Sequence, residues 1–242
     1  MTKKWEPILN KIGWSRVEDT PVFSRFFDKL GLFFAAMPDT GQGLIPVDIK
    51  PDKELDKLLR EYGSYVTIGD LNNTWNFPQY ESKEVQYQVI PKNPKIEKET
   101  RNQVRQAGKL GAKIDTFDPN GYWECLVDTV KRQNRDAMQP WIFKSMVDNS
   151  QGLTVSMDGK TIAGCMYLDD GKKIHYIHSC SLTDYQKYRP NHLILNRLIE
   201  IADGKEIFLG NAPPELDGLR KFKESFGAEM RNFNIKYYEA KN

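Results

Sequence analysis

The chain has 242 residues, 39% hydrophobic, 28% charged and 12% aromatic, the composition of a folded globular protein with room for one large domain or two smaller ones. A formal charge of +2 excludes a global electrostatic argument for nucleic acid, so any such case rests on local clustering. The longest apolar run, Gly31–Met37, falls far short of the roughly 20 residues that cross a bilayer, and no apolar signal core follows Met1, so no membrane span and a cytoplasmic location are expected.

In chain order, Phe23, Phe26, Phe27 and Leu30 suit a helix, Leu32–Met37 and Leu44–Ile49 suit strands, and Glu54–Tyr62 suits a helix. Tyr65–Ile68 and Val85–Ile90 read as strands, with the aromatic, proline-bearing loop Trp75-Asn76-Phe77-Pro78-Gln79-Tyr80 between them. Pro91-Lys92-Asn93-Pro94 marks a boundary, which sets off residues 1–94 as an abbreviated first α/β lobe. In the segment 95–110, Lys98, Arg101, Arg105 and Lys109 recur at spacings of three and four and share one helix face, with Ile96, Val104, Ala107 and Leu110 on the other. Such a stripe reads either as a solvated surface face or as an anion platform on which arginines fork onto phosphates.

Residues 111–242 give the clearer pattern. Ala112–Phe117 is a short strand; Trp123, Leu126, Val127 and Val130 mark one helix, and Pro140 opens a second that Asn149 stops. Alternating runs around Asp158-Gly159 and Asp169-Asp170-Gly171 make three hairpin-linked strands ending near Leu182. A helix carrying Leu193, Leu195, Leu198, Ile199 and Ala202 follows, then a buried strand at Glu206–Leu209. The next helix places Leu216, Leu219, Phe222 and Phe226 on one face with Gly227 as its cap, and Phe233, Ile235 and Tyr237 alternate in a last strand. The order strand, helix, helix, three strands, helix, strand, helix, strand is that of an α/β mixed-sheet GNAT-like acyl-CoA N-acyltransferase fold, complete in this half and truncated in the first.

Lys223 falls inside the apolar stripe of the last helix, where a cation must snorkel, pair or work; facing a cleft, it could stabilise an oxyanion or act as a base. The loop Tyr188-Arg189-Pro190-Asn191 precedes a helix N-terminus whose free amides suit a phosphate. His175 and His178, three apart on a strand, point to opposite faces, and with no third ligand at useful spacing no metal site is expected. His178, Ser179 and Ser181 near the open end of their strand, together with Asn211 and Trp75, are candidate polar or aromatic lining of a cleft between the lobes. The three cysteines, Cys125, Cys165 and Cys180, contain no CxxC pair and read as small buried hydrophobes.

Three segments carry a family resemblance: Arg101 to Gly111, Tyr188 to Leu195, and Gly218-Leu219-Arg220-Lys221-Phe222-Lys223-Glu224-Ser225-Phe226-Gly227. They resemble the Fem-type and BioF2-like acetyltransferase-domain branch of the GNAT superfamily. That resemblance implies transfer of an acyl or aminoacyl group to an amine, with Phe222 and Lys223 lining the reaction site and Arg101 and Arg105 on the basic helix; by charge and position Lys98, Tyr188, Arg189 and Asn191 join those arginines as candidate donor- or anion-binding residues. It further implies acyl-CoA or aminoacyl-tRNA as co-substrate rather than a tightly bound cofactor, and a small-molecule or peptide amine as acceptor. A non-catalytic module that binds an anionic ligand or RNA is the reading of another class.

Overall fold

A computed structural model describes residues 15–16, 23–27, 32–36, 53–62, 65–70, 75–138, 140–169, 171–211 and 216–240; the strand expected at Leu44–Ile49 lies outside them. The first part of the chain holds β1 (Ser15–Arg16), β2 (Phe23–Phe27), β3 (Leu32–Ala36), α1 (Lys53–Tyr62), β4 (Tyr65–Asp70) and β5 (Glu81–Ile90). Then come α2 (Lys98–Lys109), β6 (Lys113–Asp115), α3 (Pro119–Arg132), α4 (Pro140–Asn149), β7 (Gln151–Met157), β8 (Lys160–Asp169) and β9 (Lys173–Ser181). A 3-10 helix over Thr183–Tyr188 leads into α5 (Pro190–Ala202), β10 (Glu206–Asn211), α6 (Asp217–Ser225) and β11 (Glu229–Glu239). Two compact units result, residues 1–87 with 230–242, and residues 88–229. The basic helix α2 thus falls in the second unit, and all but the first residue of β11 in the first.

In the first unit the strands run β1-β2-β3-β4-β11. Phe23–Phe27, expected as a helix, is a strand paired antiparallel with β3 from Phe23↔Ala36 to Phe27↔Leu32. A short aromatic run satisfies both periods, and here the neighbouring strand supplies the main-chain partners that decide between them. Trp75, expected to line a cleft, is 2% exposed and packs edge-on against Phe77 and Tyr80. Asp56 is buried too, held by Arg60 and by Gln79 Nε2 at 2.8 Å.

The second unit is built on β10-β9-β8-β7-β6, with β10 parallel to β9 and the other pairs antiparallel. The β7–β8 hairpin turns at Asp158 and Gly159, both in the left-handed region (φ 51° and 79°), as an Asp-Gly two-residue turn requires. One sheet face packs Ile194, Leu195 and Leu198 of α5 and Phe226, just past α6, against Val155, Cys165 and Ile207. The other packs Tyr122, Cys125 and Leu126 of α3 and Met146 of α4 against Met166 and Cys180. Fully burying a side chain such as Leu126 or Leu198 stabilises by about 1.5–3 kcal/mol. The buried face of α3 is rotated from the expected one: Tyr122, Cys125, Leu126 and Thr129 are inside, and Val127 is 40% exposed. Asp118 caps this helix, accepting from the Asn120 N–H and the Thr161 hydroxyl, and the Thr161 bond and main-chain donors hold its carboxyl below the usual range. No described helix is long and apolar enough to cross a membrane.

Candidate functional site

The site begins with a defect in β9. Its antiparallel register with β8 slips between Met166↔His178 and Tyr167↔Tyr176, which leaves Ile177 as an extra residue. On the opposite edge, β10 pairs with β9 only through Glu206↔Lys173, Ile207↔Ile174 and Phe208↔His175. The two parallel strands therefore part at the bulge. Beyond it, the Ser181 N–H donates to Thr129 Oγ (3.0 Å) and the same hydroxyl donates back to the Ser181 carbonyl (3.1 Å), so Ser181 presents its main chain away from β8. Alternate residues of an antiparallel ladder present both main-chain groups to the same side, which turns the Ser179 N–H and C=O into the gap as well.

Lys223 reaches the root of that gap. Its Nζ donates to the Leu209 carbonyl at 2.8 Å, and Leu209 directly follows the last β10 residue paired with β9. The side chain is 5% exposed, and burial pushes the ammonium down to about 8. The apolar stripe expected around it is only partly inside: Leu216 and Leu219 are 44% and 42% exposed, because the sheet covers the last turn of α6 and not its first. That last turn is held by Phe226, fully buried, and by Gly227 (φ 81°), whose Cβ position lies 2.9 Å from the Lys95 nitrogen. Phe222 is half-buried and meets His192 and Phe226 edge-on at 5.0 and 5.4 Å, so it braces the helix.

His175 and His178 share one sheet face, contrary to the expectation from their spacing. His175 pairs with Leu168 and His178 with Met166, two residues that alternation places on the same side of β8; the extra Ile177 re-phases the strand between them. His178 shares a 2.9 Å hydrogen bond through Nδ1 with the Tyr122 hydroxyl, against the α3–α4 layer. Burial lowers the imidazole to about 4 and raises the Tyr122 hydroxyl well above its ordinary range. Among the described residues no group of three or more His, Cys, Asp or Glu side chains gathers as for a metal ion.

The remaining candidates separate. Ser181 is buried, and its Oγ accepts from Asn191 Nδ2 at 3.4 Å, so it anchors the start of α5 instead of lining an opening. Ser179 is half-buried, and Asn211 closes β10. Arg189 precedes α5 in the left-handed conformation (φ 57°), with Tyr188 half-buried beside it. His192, one turn inside, is lowered to about 4 by burial and then by the charge of Arg189. Lys98, Arg101, Arg105 and Lys109 are all exposed on α2, whose inner side packs Ala107 and Val104 toward α5, while Leu110, expected among the apolar residues, is 44% exposed. An open hollow of about 390 Å³ lined by Val127, Val130, Lys131, Asn134, Arg135 and Asp136 contains none of these groups. Sequence reasoning missed Tyr122 and the Leu209 carbonyl, the first reading as one more core aromatic and the second carrying no side-chain signal.

The two lowered histidines predict an acid limb. Between pH 6.5 and about 4 the unfolded chain binds two protons that folded His178 and His192 refuse, so stability is full above that window and falls as pH drops through it. Urea midpoints at pH 7, 5.5 and 4.5 should decline in the wild type, and the decline should shrink when both histidines are replaced by glutamine; an equal decline in the double variant would assign it to carboxylates.

No protein-family model matches the sequence, and no curated protein does either. Solved structures do match in fold. FemX superposes with a TM-score of 0.69 at 14% identity, over 96% of this chain and 90% of that one. L-PGS from Bacillus licheniformis gives 0.67 at 12% identity, over 97% and 87%. A GCN5-related N-acetyltransferase from Kribbella flavida gives 0.50 at 10% identity, over 99% and 95%. With a mixed sheet whose parallel pair splays at a bulge, and helices on both faces, the chain has the GNAT fold.

Proposed function

We propose that the chain is an N-acyltransferase that moves an acyl group from an activated donor, acyl-CoA, to an amine by direct attack. One observation carries this reading: a buried ammonium, Lys223, stands where β10 leaves β9, beside a gap into which the Ser179 N–H is turned. A lysine has three donors and Leu209 takes one, so two stay available, and an ammonium titrating at about 8 is still charged at neutral pH. As the amine attacks the carbonyl carbon, the C–N bond forms and the carbonyl electron pair moves onto oxygen. Donors fixed beforehand in a water-poor gap stabilise that oxygen most. The neighbours' names, FemX, L-PGS and an N-acetyltransferase, agree with group transfer.

The exposed basic face of α2 favours a second donor, aminoacyl-tRNA, because Lys98, Arg101, Arg105 and Lys109 form a continuous cationic stripe. Thermal-shift measurements with acetyl-CoA and with charged tRNA separate the two. Ligand at about 100 times its Kd adds about 2.7 kcal/mol, so stabilisation by acetyl-CoA supports the first donor. Binding of tRNA that weakens steeply with salt supports the second, and RNA binding without transfer to any amine overturns the enzymatic reading in favour of a binding module.

A further inference from the structure

The end of β9 is gripped by the last turns of α3, and the transfer chemistry above gives that grip no role. Thr129, 5% exposed, sets one hydroxyl against both main-chain groups of Ser181, itself 1% exposed: the Ser181 N–H donates to Oγ at 3.0 Å, and Oγ donates to the Ser181 carbonyl at 3.1 Å. A hydroxyl both donates and accepts, so one atom serves this pair as a neighbouring strand would, at a level where β10 no longer pairs with β9. The carbonyl has a second, longer donor in Arg132 Nη1 at 3.4 Å, whereas the N–H has Thr129 alone among the described residues. Just beyond, the chain is pinned. The Leu182 N–H donates to the Ile162 carbonyl at 2.9 Å, the Thr183 N–H to Asp128 Oδ1 at 3.1 Å, and Arg132 Nη1 to Thr183 Oγ1 at 2.7 Å. Upstream lies the irregular step at Ile177. A disturbance at Ser181 is therefore taken up between the bulge and Leu182, in the short stretch that carries Ser179. Across the gap, the Cβ position at Gly210, the residue after Leu209, has nothing within 4 Å, so open space lies beside β10 where Lys223 is bonded.

We propose that Thr129 is a positioning residue of the transfer reaction, which by holding both main-chain groups of Ser181 aims the Ser179 N–H into the gap as the partner of Lys223 in stabilising the oxyanion. This rests on the acyl-transfer reading. In that step the amine nitrogen bonds to the carbonyl carbon and the π pair moves to oxygen, where the Ser179 N–H and the Lys223 ammonium donate to it. The pair then returns, the C–S bond breaks to release the thiolate, and the proton of the amine leaves to water. Thr129 touches none of the reacting atoms and acts before them. An oxyanion donor contributes most when its direction is set before charge develops, since nothing must then reorganise during attack. Ser179 is two residues from Ser181 on the same edge of β9, and alternation sends their N–H groups the same way, so the angle of one sets the angle of the other. Both residues of the Thr129–Ser181 pair are buried, so solvent does not replace a lost hydroxyl, and the orphaned Ser181 N–H draws the strand out of line.

Transfer kinetics on the full chain, with acetyl-CoA as donor probe and spermidine, phenethylamine and diglycine as acceptor probes, provide the test. Thr129→Val, which keeps the shape and loses both bonds, should lower kcat by about 10²-fold with KM for donor and acceptor little changed, the split expected when an interaction made mainly in the transition state is lost. Thr129→Ser, which keeps the hydroxyl, should restore most of the rate. A kcat kept in Thr129→Val overturns the proposal even where the denaturation midpoint falls, because the residue then only holds the fold; transfer lost in Lys223→Ala at the same time leaves the acyl-transfer reading standing. A rate lost equally in Thr129→Ser overturns the proposal too. Should Thr129→Val fail to fold, amide exchange on wild-type chain labelled with nitrogen-15 serine and cysteine decides. Ser179, whose N–H is turned into the gap, should exchange much faster than Cys180, which pairs with Gly164, and equally slow exchange overturns the proposal. No transfer by the wild type to any probe overturns the acyl-transfer reading and the role of Thr129 with it.

Discussion

Lys223→Met should abolish most turnover while leaving a folded protein that lacks the rise in stability which Lys223 gives the wild type in mild alkali. The wild-type ammonium titrates at about 8 when folded and near 10.5 when unfolded. Between those values the unfolded chain binds more protons, so unfolding free energy rises with pH across the window and is flat on either side. The rise attributable to this side chain is on the order of 3–4 kcal/mol, because one unit of pKa between two states corresponds to about 1.4 kcal/mol. Other groups titrate there as well, but they are common to both proteins and cancel in the difference. At pH 7 the substitution removes a costly buried charge and also leaves the Leu209 carbonyl without its donor, so the net change there is small. Urea titrations of both proteins at pH 7, 8.5 and 10 provide the measurement; parallel curves would mean that the ammonium is solvated. Turnover should fall by about 10²–10³-fold, the loss seen when one oxyanion donor is removed.

Gly227→Ala should be strongly destabilising. At φ 81° an alanine is strained, and its Cβ would stand 2.9 Å from the Lys95 nitrogen, 3.1 Å from the Lys95 oxygen and 3.1 Å from Pro94 Cβ. Main chain cannot step aside as a side-chain tip can, and the Glu97 N–H bond to the Ser225 carbonyl (3.0 Å) fixes the two segments together. A loss of about 2–4 kcal/mol is expected from backbone strain and displaced packing. Gly108→Ala, in α2 with nothing within 4 Å of its Cβ position, is the matched control and should gain about 0.5–1 kcal/mol. Equal midpoints for the two variants in denaturant would refute the close approach.

How much of this was legible beforehand depended on where the deciding interaction lies. The hairpin at Asp158-Gly159 was readable because its residues alone favour the required dihedrals. Lys223 was readable because a cation in an apolar stripe violates local pattern, and the violation survives folding as a buried ammonium. Phe23–Phe27 misled, since its helical spacing was overridden by pairing with Leu32–Ala36. Trp75 was drawn as lining because a proline-bearing loop reads as surface, whereas its ring lies in an aromatic cluster. The shared face of the two histidines was invisible for a different reason: nothing in Tyr176-Ile177-His178 announces an extra residue, which exists only relative to β8. Tyr122 was passed over because its neighbours Trp123 and Leu126 already filled a plausible helical stripe.

The misfit at Ile177 also divides one strand into two independently phased stretches. Residues 173–175 are committed to the ladder with β10 and to the packing beneath it, whereas 178–181 pair with β8 and bond to α3 and the start of α5. A lineage could therefore revise the chemistry at Ser179 without re-optimising the upstream core. Deleting that single residue would remove the irregularity and leave Tyr176 opposite Tyr167 and His178 opposite Met166 in an unbroken ladder.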